Sequence, residues 1–136
     1  MLTVVAALIE SRGKILTCQR RRGDAFELMW EFPGGKVKPG ETLEKALARE
    51  LREELGVTAQ IGREVYRVHH EYAVMGAPIE LVFFAAELDS VEIQNLAFEE
   101  ICWCEPRFLT ALNFLPADRK LVEKLANGSL HVPPLR

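Results

Sequence analysis

Cysteine is scarce in this 136-residue chain: Cys18, Cys102 and Cys104 are the only three, and no two form a CxxC pair. That excludes a disulfide-stapled secreted scaffold and a four-cysteine zinc site, and it suits a reduced, cytoplasmic protein. Cys102 and Cys104 flank Trp103 at strand spacing, so both are expected to face one side as small core residues. Positive charge is not in excess either. Seventeen Lys and Arg oppose 20 Asp and Glu, for a net charge of −3 and a pI near 5.7. This balance argues against a nucleic acid polymer as partner, while a small phosphate ester, which needs only a few local cations, stays open. Long apolar runs are missing: "MLTVVAALIE" is too short to span a bilayer and lacks the basic lead of a signal peptide, so no membrane partner is expected. There is no repeat, no linker and no Walker A loop, since "GGKVKPGET" does not fit G-x-x-x-x-G-K-[S/T]. What remains is a globular composition, 49% apolar and 27% charged, of a length that buries one core: a single domain over residues 1–136.

"LTVVAALIE" and "KILTCQRR" are β-branched and apolar, and "SRGK" between them supplies the turn of a hairpin. "RRGDAFELMWEFPGGKVKPGE" is rich in Gly and Pro and reads as a loop carrying short extended pieces around Trp30 and Phe32. A helix is expected from an N-cap at Thr42 to a C′ residue at Gly56, with Leu43, Leu47, Leu51 and Leu55 as its apolar stripe. "QIGREVYRVHHEY" and "APIELVFFAAEL" read as two longer strands joined near "VMGAP", and "EEICWCE" as another short one. "PRFLTALNF" and "PADRKLVEKLANG" each open with Pro and carry helical periodicity. Strands, helix, strands, helix in one domain suggest a mixed sheet covered by helices, an α/β/α sandwich.

The helix "RELREELGV" stacks Glu50, Glu53 and Glu54 at spacings of three, four and one. Like charges three and four apart on a helix repel by a few tenths of a kcal/mol per pair. At about 100° per residue, Glu53 and Glu54 lie roughly 60° and 40° to either side of Glu50, beside the leucine stripe rather than opposite it. The bland reading is a charged shoulder on an amphipathic helix. The alternative is a cation site: oxygen donors within one turn suit Mg²⁺, a hard ion that shares its shell with phosphate oxygens.

Upstream residues favour the second reading. "GGKVKPGETLEKALARELREELGV" places Gly35, Glu41, Arg49, Glu50, Leu51, Glu53, Glu54, Gly56 and Val57 at the spacing Gly-x5-Glu-x7-Arg-Glu-aliphatic-x-Glu-Glu-x-Gly-aliphatic. This resembles the complete Nudix box. The flanks "WEFPGGK" and "LPADRKLVEKL" resemble those of MutT-like members, both 8-oxo-dGTP diphosphatases and bacterial CTP pyrophosphohydrolases. The resemblance implies the Nudix α/β/α sandwich with a mixed β-sheet. It also implies Mg²⁺-dependent hydrolysis of a nucleoside triphosphate, with Mn²⁺ as a substitute metal, to a monophosphate and pyrophosphate.

Carried onto this chain, the resemblance makes Glu50, Glu53, Glu54 and the Gly35 carbonyl the metal ligands, with Glu53, Glu50 and Arg49 as the catalytic group. Glu41 is expected to orient the carboxylates with Arg49. Arg20 and Lys36 are expected at the substrate, although "RRR" at 20–22 also reads as a solvated basic run. MutT carries a further acid six residues before the late-strand Trp, where this chain has Ala97; Glu99 and Glu100 stand nearby as substitutes. Asp118 is either a helix cap or a base-reading residue. If ionised it only accepts hydrogen bonds, which would favour bases presenting N–H groups and disfavour uracil and thymine. The preferred substrate expected on this reading is 8-oxo-dGTP or a related oxidised purine nucleotide. CTP or a modified pyrimidine triphosphate is the alternative, and a non-catalytic nucleotide-binding module the reading from another class.

Overall fold

The first two strands form the expected hairpin. β1 (Leu2–Ser11) and β2 (Lys14–Gln19) meet at Ser11 and Lys14, and both intervening residues, Arg12 and Gly13, have positive φ (53° and 78°). That is the primed turn whose twist matches the flanking strands. The computed structural model describes residues 2–72, 77–90 and 92–135. The "VMGAP" connection falls largely on residues 73–76, outside them.

The glycine- and proline-rich segment contributes two short strands, β3 (Trp30–Glu31) and β4 (Gly34–Lys36), followed by helix α1 (Leu43–Leu55). β5 (Ala59–Tyr72) and β6 (Ala77–Leu88) are the long antiparallel pair, and β7 (Glu100–Cys104) is the late strand. The sheet is mixed. β1 runs parallel to β6 along one edge; on the other it pairs with β4 over Val4–Ala6 and with β2 only at Glu10 and Ser11. β2 in turn holds β3 beside its last residues and β7 along its length.

Alternation along the central strands sorts the core into two layers. Val5, Ala7 and Ile9 of β1 and Val82, Phe84 and Ala86 of β6 pack with Leu47, Leu51 and Leu55 of α1. Ala6, Leu8, Ile79, Leu81 and Phe83 point the other way, against Leu121, Val122 and Leu125 of helix α2 (Arg119–Ala126). Helices on both faces make this the α/β/α sandwich with a mixed sheet. Cys102 and Cys104 both pack on the α2 face, while Ile101 and Trp103 pack on the α1 face.

α1 begins and ends where its caps dictate. The Thr42 hydroxyl accepts from the Lys45 N–H at 3.1 Å, and Gly56, left-handed at φ 64°, returns its N–H to the Arg52 carbonyl. Such an N-cap contributes about 1 kcal/mol. The helical periodicity of "PRFLTALNF" yields a 3₁₀ segment, Pro106–Ala111, instead of an α-helix. Only Leu109 is buried in it and no side chain caps it, too little to sustain a longer α-helix. A second 3₁₀ turn, Pro116–Asp118, leads directly into α2.

Candidate active site

Strand β4 lies along α1, and their residues meet in reverse order. The Gly34 N–H donates to Glu54 Oε1 at 3.0 Å, the Glu50 carboxylate sits over Gly35, and Arg49 Nη2 donates to the Lys36 carbonyl at 3.0 Å. Both glycines are needed for this approach. A Cβ on Gly34 would collide with the Val5 carbonyl of β1, and one on Gly35 would stand 2.5–2.7 Å from the Glu50 carboxyl atoms. The strand is pressed between β1 and the helix, so backbone takes the place of side chains.

Arg49 gathers the outer carboxylates. Nε and Nη2 grip Glu41 at 2.7 and 2.9 Å, and Nη1 reaches Glu50 at 2.9 Å and Glu53 at 3.3 Å. This two-point grip on one carboxylate is geometry that only Arg provides. Together with the Lys38 backbone N–H, it holds the Glu41 carboxyl down at about 2. Arg49 itself is held above its ordinary value, first by Glu41 and also by Glu50. Glu53 remains the most open, with 55% of its side chain exposed against 15% for Glu50.

The inner carboxylates behave oppositely. Burial, then the nearby charges of Glu31 and Glu50, push Glu54 up to about 9, against the opposing pull of the Gly34 N–H and Arg20. Burial likewise raises Glu31, although Arg20 Nη1 lies 3.3 Å from both of its oxygens. Asp118 is 2% exposed, makes no capping hydrogen bond, and is raised well above the usual carboxylate range by burial and by Glu31. The capping role is therefore unfilled. The upward shift favours the protonated carboxyl, which offers one O–H donor beside one acceptor, over the ionised form, which only accepts.

The remaining candidates are spread around this centre. Arg20 lies at the end of β2, within electrostatic reach of Glu54. Lys36 is exposed and joins through its carbonyl. Glu99 is turned to the Arg22 N–H at 3.3 Å, and Glu100 is exposed on β7 opposite Gln19. Glu31 was not singled out from sequence. It sits within "WEFPGG", between two buried aromatics in an apparent loop, and only the pairing of β3 with β2 brings it to Arg20.

Among the described residues no three His, Cys, Asp or Glu side chains already converge on a common point. Glu50 and Glu53 are turned to Arg49 and Glu54 to the Gly34 N–H. They form an oxygen-rich donor set on one helical turn beside a glycine backbone, the donor type that a hard cation takes.

A fold with this box on α1 and glycine backbone across it defines a Nudix hydrolase. Residues 1–125 match the NUDIX domain family, and the chain belongs to it. It is 40% identical over 123 residues to a CTP pyrophosphohydrolase of Escherichia coli K12, covering 90% of each chain. It is 38% identical over 129 residues to an 8-oxo-dGTP diphosphatase of Haemophilus influenzae, covering 93% of each. The structure of the MutT protein from Methanosarcina mazei matches with a TM-score of 0.82 over 94% of both chains; at 23% identity it speaks for the fold alone.

Proposed function

We propose that the chain hydrolyses nucleoside triphosphates to monophosphates and pyrophosphate with a divalent cation, Mg²⁺ or Mn²⁺ in its place, and prefers oxidised purines such as 8-oxo-dGTP. Its cellular role would be clearing damaged nucleotides from the precursor pool, in the cytoplasm. The observation that carries the reading is the set of box carboxylates, Glu50, Glu53 and Glu54, arranged around Arg49 and the Gly34-Gly35 backbone.

The donor chemistry fits Mg²⁺. All the groups are hard oxygens, and a side chain at Gly35 would fill the cradle in which the Glu50 carboxylate lies. Glu50, Glu53, Glu54 and the Gly35 carbonyl would hold the ion. When bound, it supplies neutralisation of charge on the phosphate oxygens. Glu53, open to solvent and steadied by Arg49, is suited to accept a proton from the attacking water. Arg49, fixed by Glu41, sets the carboxylate orientations, and an error of an ångström there would cost much of their effect. Arg20 and Lys36 supply cations for the phosphate chain.

The preference for an oxidised purine is supported by the similarity to an 8-oxo-dGTP diphosphatase, with the buried Asp118 as the group that reads the base. In its protonated form the carboxyl pairs an O–H donor with a C=O acceptor and matches an edge with one acceptor beside one N–H. 8-Oxoguanine has such an edge at O6 and N7–H, where unoxidised guanine shows two acceptors; the O6/N1–H edge is common to both, so the discrimination requires Asp118 to face the N7 side. Cytosine matches through N3 and its 4-amino group. This edge, with the similarity to a CTP pyrophosphohydrolase, makes CTP or a modified pyrimidine triphosphate the second reading. A protonated Asp118 would not reject the O4/N3–H edge of uracil and thymine by hydrogen bonding alone, whereas an ionised one would.

A panel of canonical and oxidised triphosphates with Mg²⁺, scored by pyrophosphate release, tests the proposal. The expected result is a kcat/KM for 8-oxo-dGTP at least about tenfold above dGTP, within the range a hydrogen-bonding site achieves. CTP in the lead would replace the first reading with the second. Binding without release from any nucleotide would make the protein a non-catalytic module.

A further inference from the structure

Between β2 and β3 the chain makes a loop that ought not to hold its shape unaided. Phe26 and Leu28 both adopt left-handed backbone conformations, φ 56° and 63°, which bulky side chains rarely accept. Strain of this kind persists only where neighbours over-determine it. The neck is closed by backbone: the Leu28 N–H donates to the Arg20 carbonyl and the Arg20 N–H to the Met29 carbonyl, both at 2.9 Å, while Gln19 Nε2 donates to the Leu28 carbonyl at 3.1 Å. At the tip the Gly23 N–H donates to Glu27 Oε1 at 2.9 Å, and Arg20 ties the loop to the sheet. Arg20 Nε donates to the Ala25 carbonyl at 2.7 Å, and Arg20 Nη1 reaches back to both oxygens of Glu31 at 3.3 Å. In this conformation Phe26 packs against the apolar cluster on the α2 face, of which Trp30, Phe114 and Ala117, the neighbour of Asp118, are members.

The guanidinium is thus divided. Nε serves the loop and Nη1 serves Glu31, while Nη2 has no partner among the described residues. We propose that Glu31 is a positioning residue: it fixes the Arg20 guanidinium so that Nη2 is presented to the phosphate chain while Nε holds the loop over residues 24–29, with Phe26, against the base end of the site. The phosphate half of this inference rests on the nucleotide reading above, whereas the loop half stands without it. A lysine cannot serve two partners at fixed angles from one planar group. A glutamine at position 31 keeps a carbonyl oxygen where the carboxylate stood.

The test has one readout that needs no nucleotide. Amide hydrogen exchange in the substrate-free protein is expected to quicken at Leu28 and Met29 by about tenfold or more in Glu31→Ala and in Arg20→Lys, and much less in Glu31→Gln, because local opening sets exchange of such amides. In steady-state kinetics, Glu31→Ala is expected to raise KM for the triphosphate by about tenfold with kcat within about threefold, and Glu31→Gln to recover most of that loss. Unchanged exchange in both Glu31→Ala and Arg20→Lys would overturn the latch. A fall in kcat at constant KM, or no recovery with Gln, would overturn the positioning role. If no triphosphate is turned over by the wild type, the nucleotide reading fails while exchange still decides the loop.

Discussion

Two groups of carboxylates stand in the site, and Glu41 in the outer one is shifted opposite to Glu54, Glu31 and Asp118 in the inner one. Glu41, Glu50 and Glu53 surround Arg49 near solvent, and Glu41 is held down to about 2. Glu54, Glu31 and Asp118 lie inward and are all raised, Glu54 to about 9. The difference does not come from residue type, since Glu41 and Glu54 are the same amino acid. It comes from which group Arg49 reaches and from which groups the sheet and β4 remove from water. Arg20 is the cation that acts on both Glu31 and Glu54 in the inner group. A cation placed between the two groups would serve both.

The largest effects are expected where that division is broken chemically. Chelation with EDTA should abolish turnover and Mg²⁺ or Mn²⁺ should restore it. Glu53→Gln should lose at least about a hundredfold in kcat while staying folded, by the loss of a ligand or base. Near-full activity in that variant would remove Glu53 from the chemistry.

A smaller effect is expected at the base end. Asp118→Ala should lower kcat/KM for the preferred triphosphate by about ten- to a hundredfold. Asp118→Asn, which keeps one donor and one acceptor, should lose far less. Equal losses in the two variants, measured with the same nucleotide, would mean that the inner carboxylate is ionised after all.

The two groups should also separate in a pH series of stability under chelation. Glu41 has its folded pKa lowered, so its contribution is full above the ordinary carboxylate value and is lost as pH falls toward about 2. Glu54 has its folded pKa raised, so the folded state binds the extra proton and stability declines as pH rises from about 4.5 toward about 9. Glu54→Gln should make the upper limb shallower, leaving the part that the raised Glu31 and Asp118 contribute, and leave the acid limb unchanged. Urea midpoints across pH read both, and an upper limb unaltered in Glu54→Gln would relocate the raised group.

Much of this was legible in the chain, because the informative signals were local. The caps at Thr42 and Gly56, the leucine stripe and the box spacing all act within one helix, so α1 and its carboxylates could be laid out before any contact was known. The hairpin was legible from its turn residues. The 3₁₀ segment over Pro106–Ala111 was not, since its periodicity looked helical while its shortness and single buried Leu109 decided otherwise. Nor was Glu31, whose place depends on β3 pairing with β2 across a loop held by strained residues. Asp118 could be singled out by its place in "LPAD", but its burial and the upward shift that burial causes are not reported by spacing.

The central claim is that a cation completes the box carboxylates and relieves the repulsion among them. Thermal melting with and without Mg²⁺, in the wild type and in Glu54→Gln, tests it most directly. At a hundred times its Kd, Mg²⁺ should stabilise the wild type by about 2.7 kcal/mol, seen as a melting temperature raised by several degrees. Glu54→Gln, with one carboxylate donor removed, should gain clearly less from the same Mg²⁺. An unmoved melting temperature in the wild type, or an equal rise in Glu54→Gln, would contradict the account.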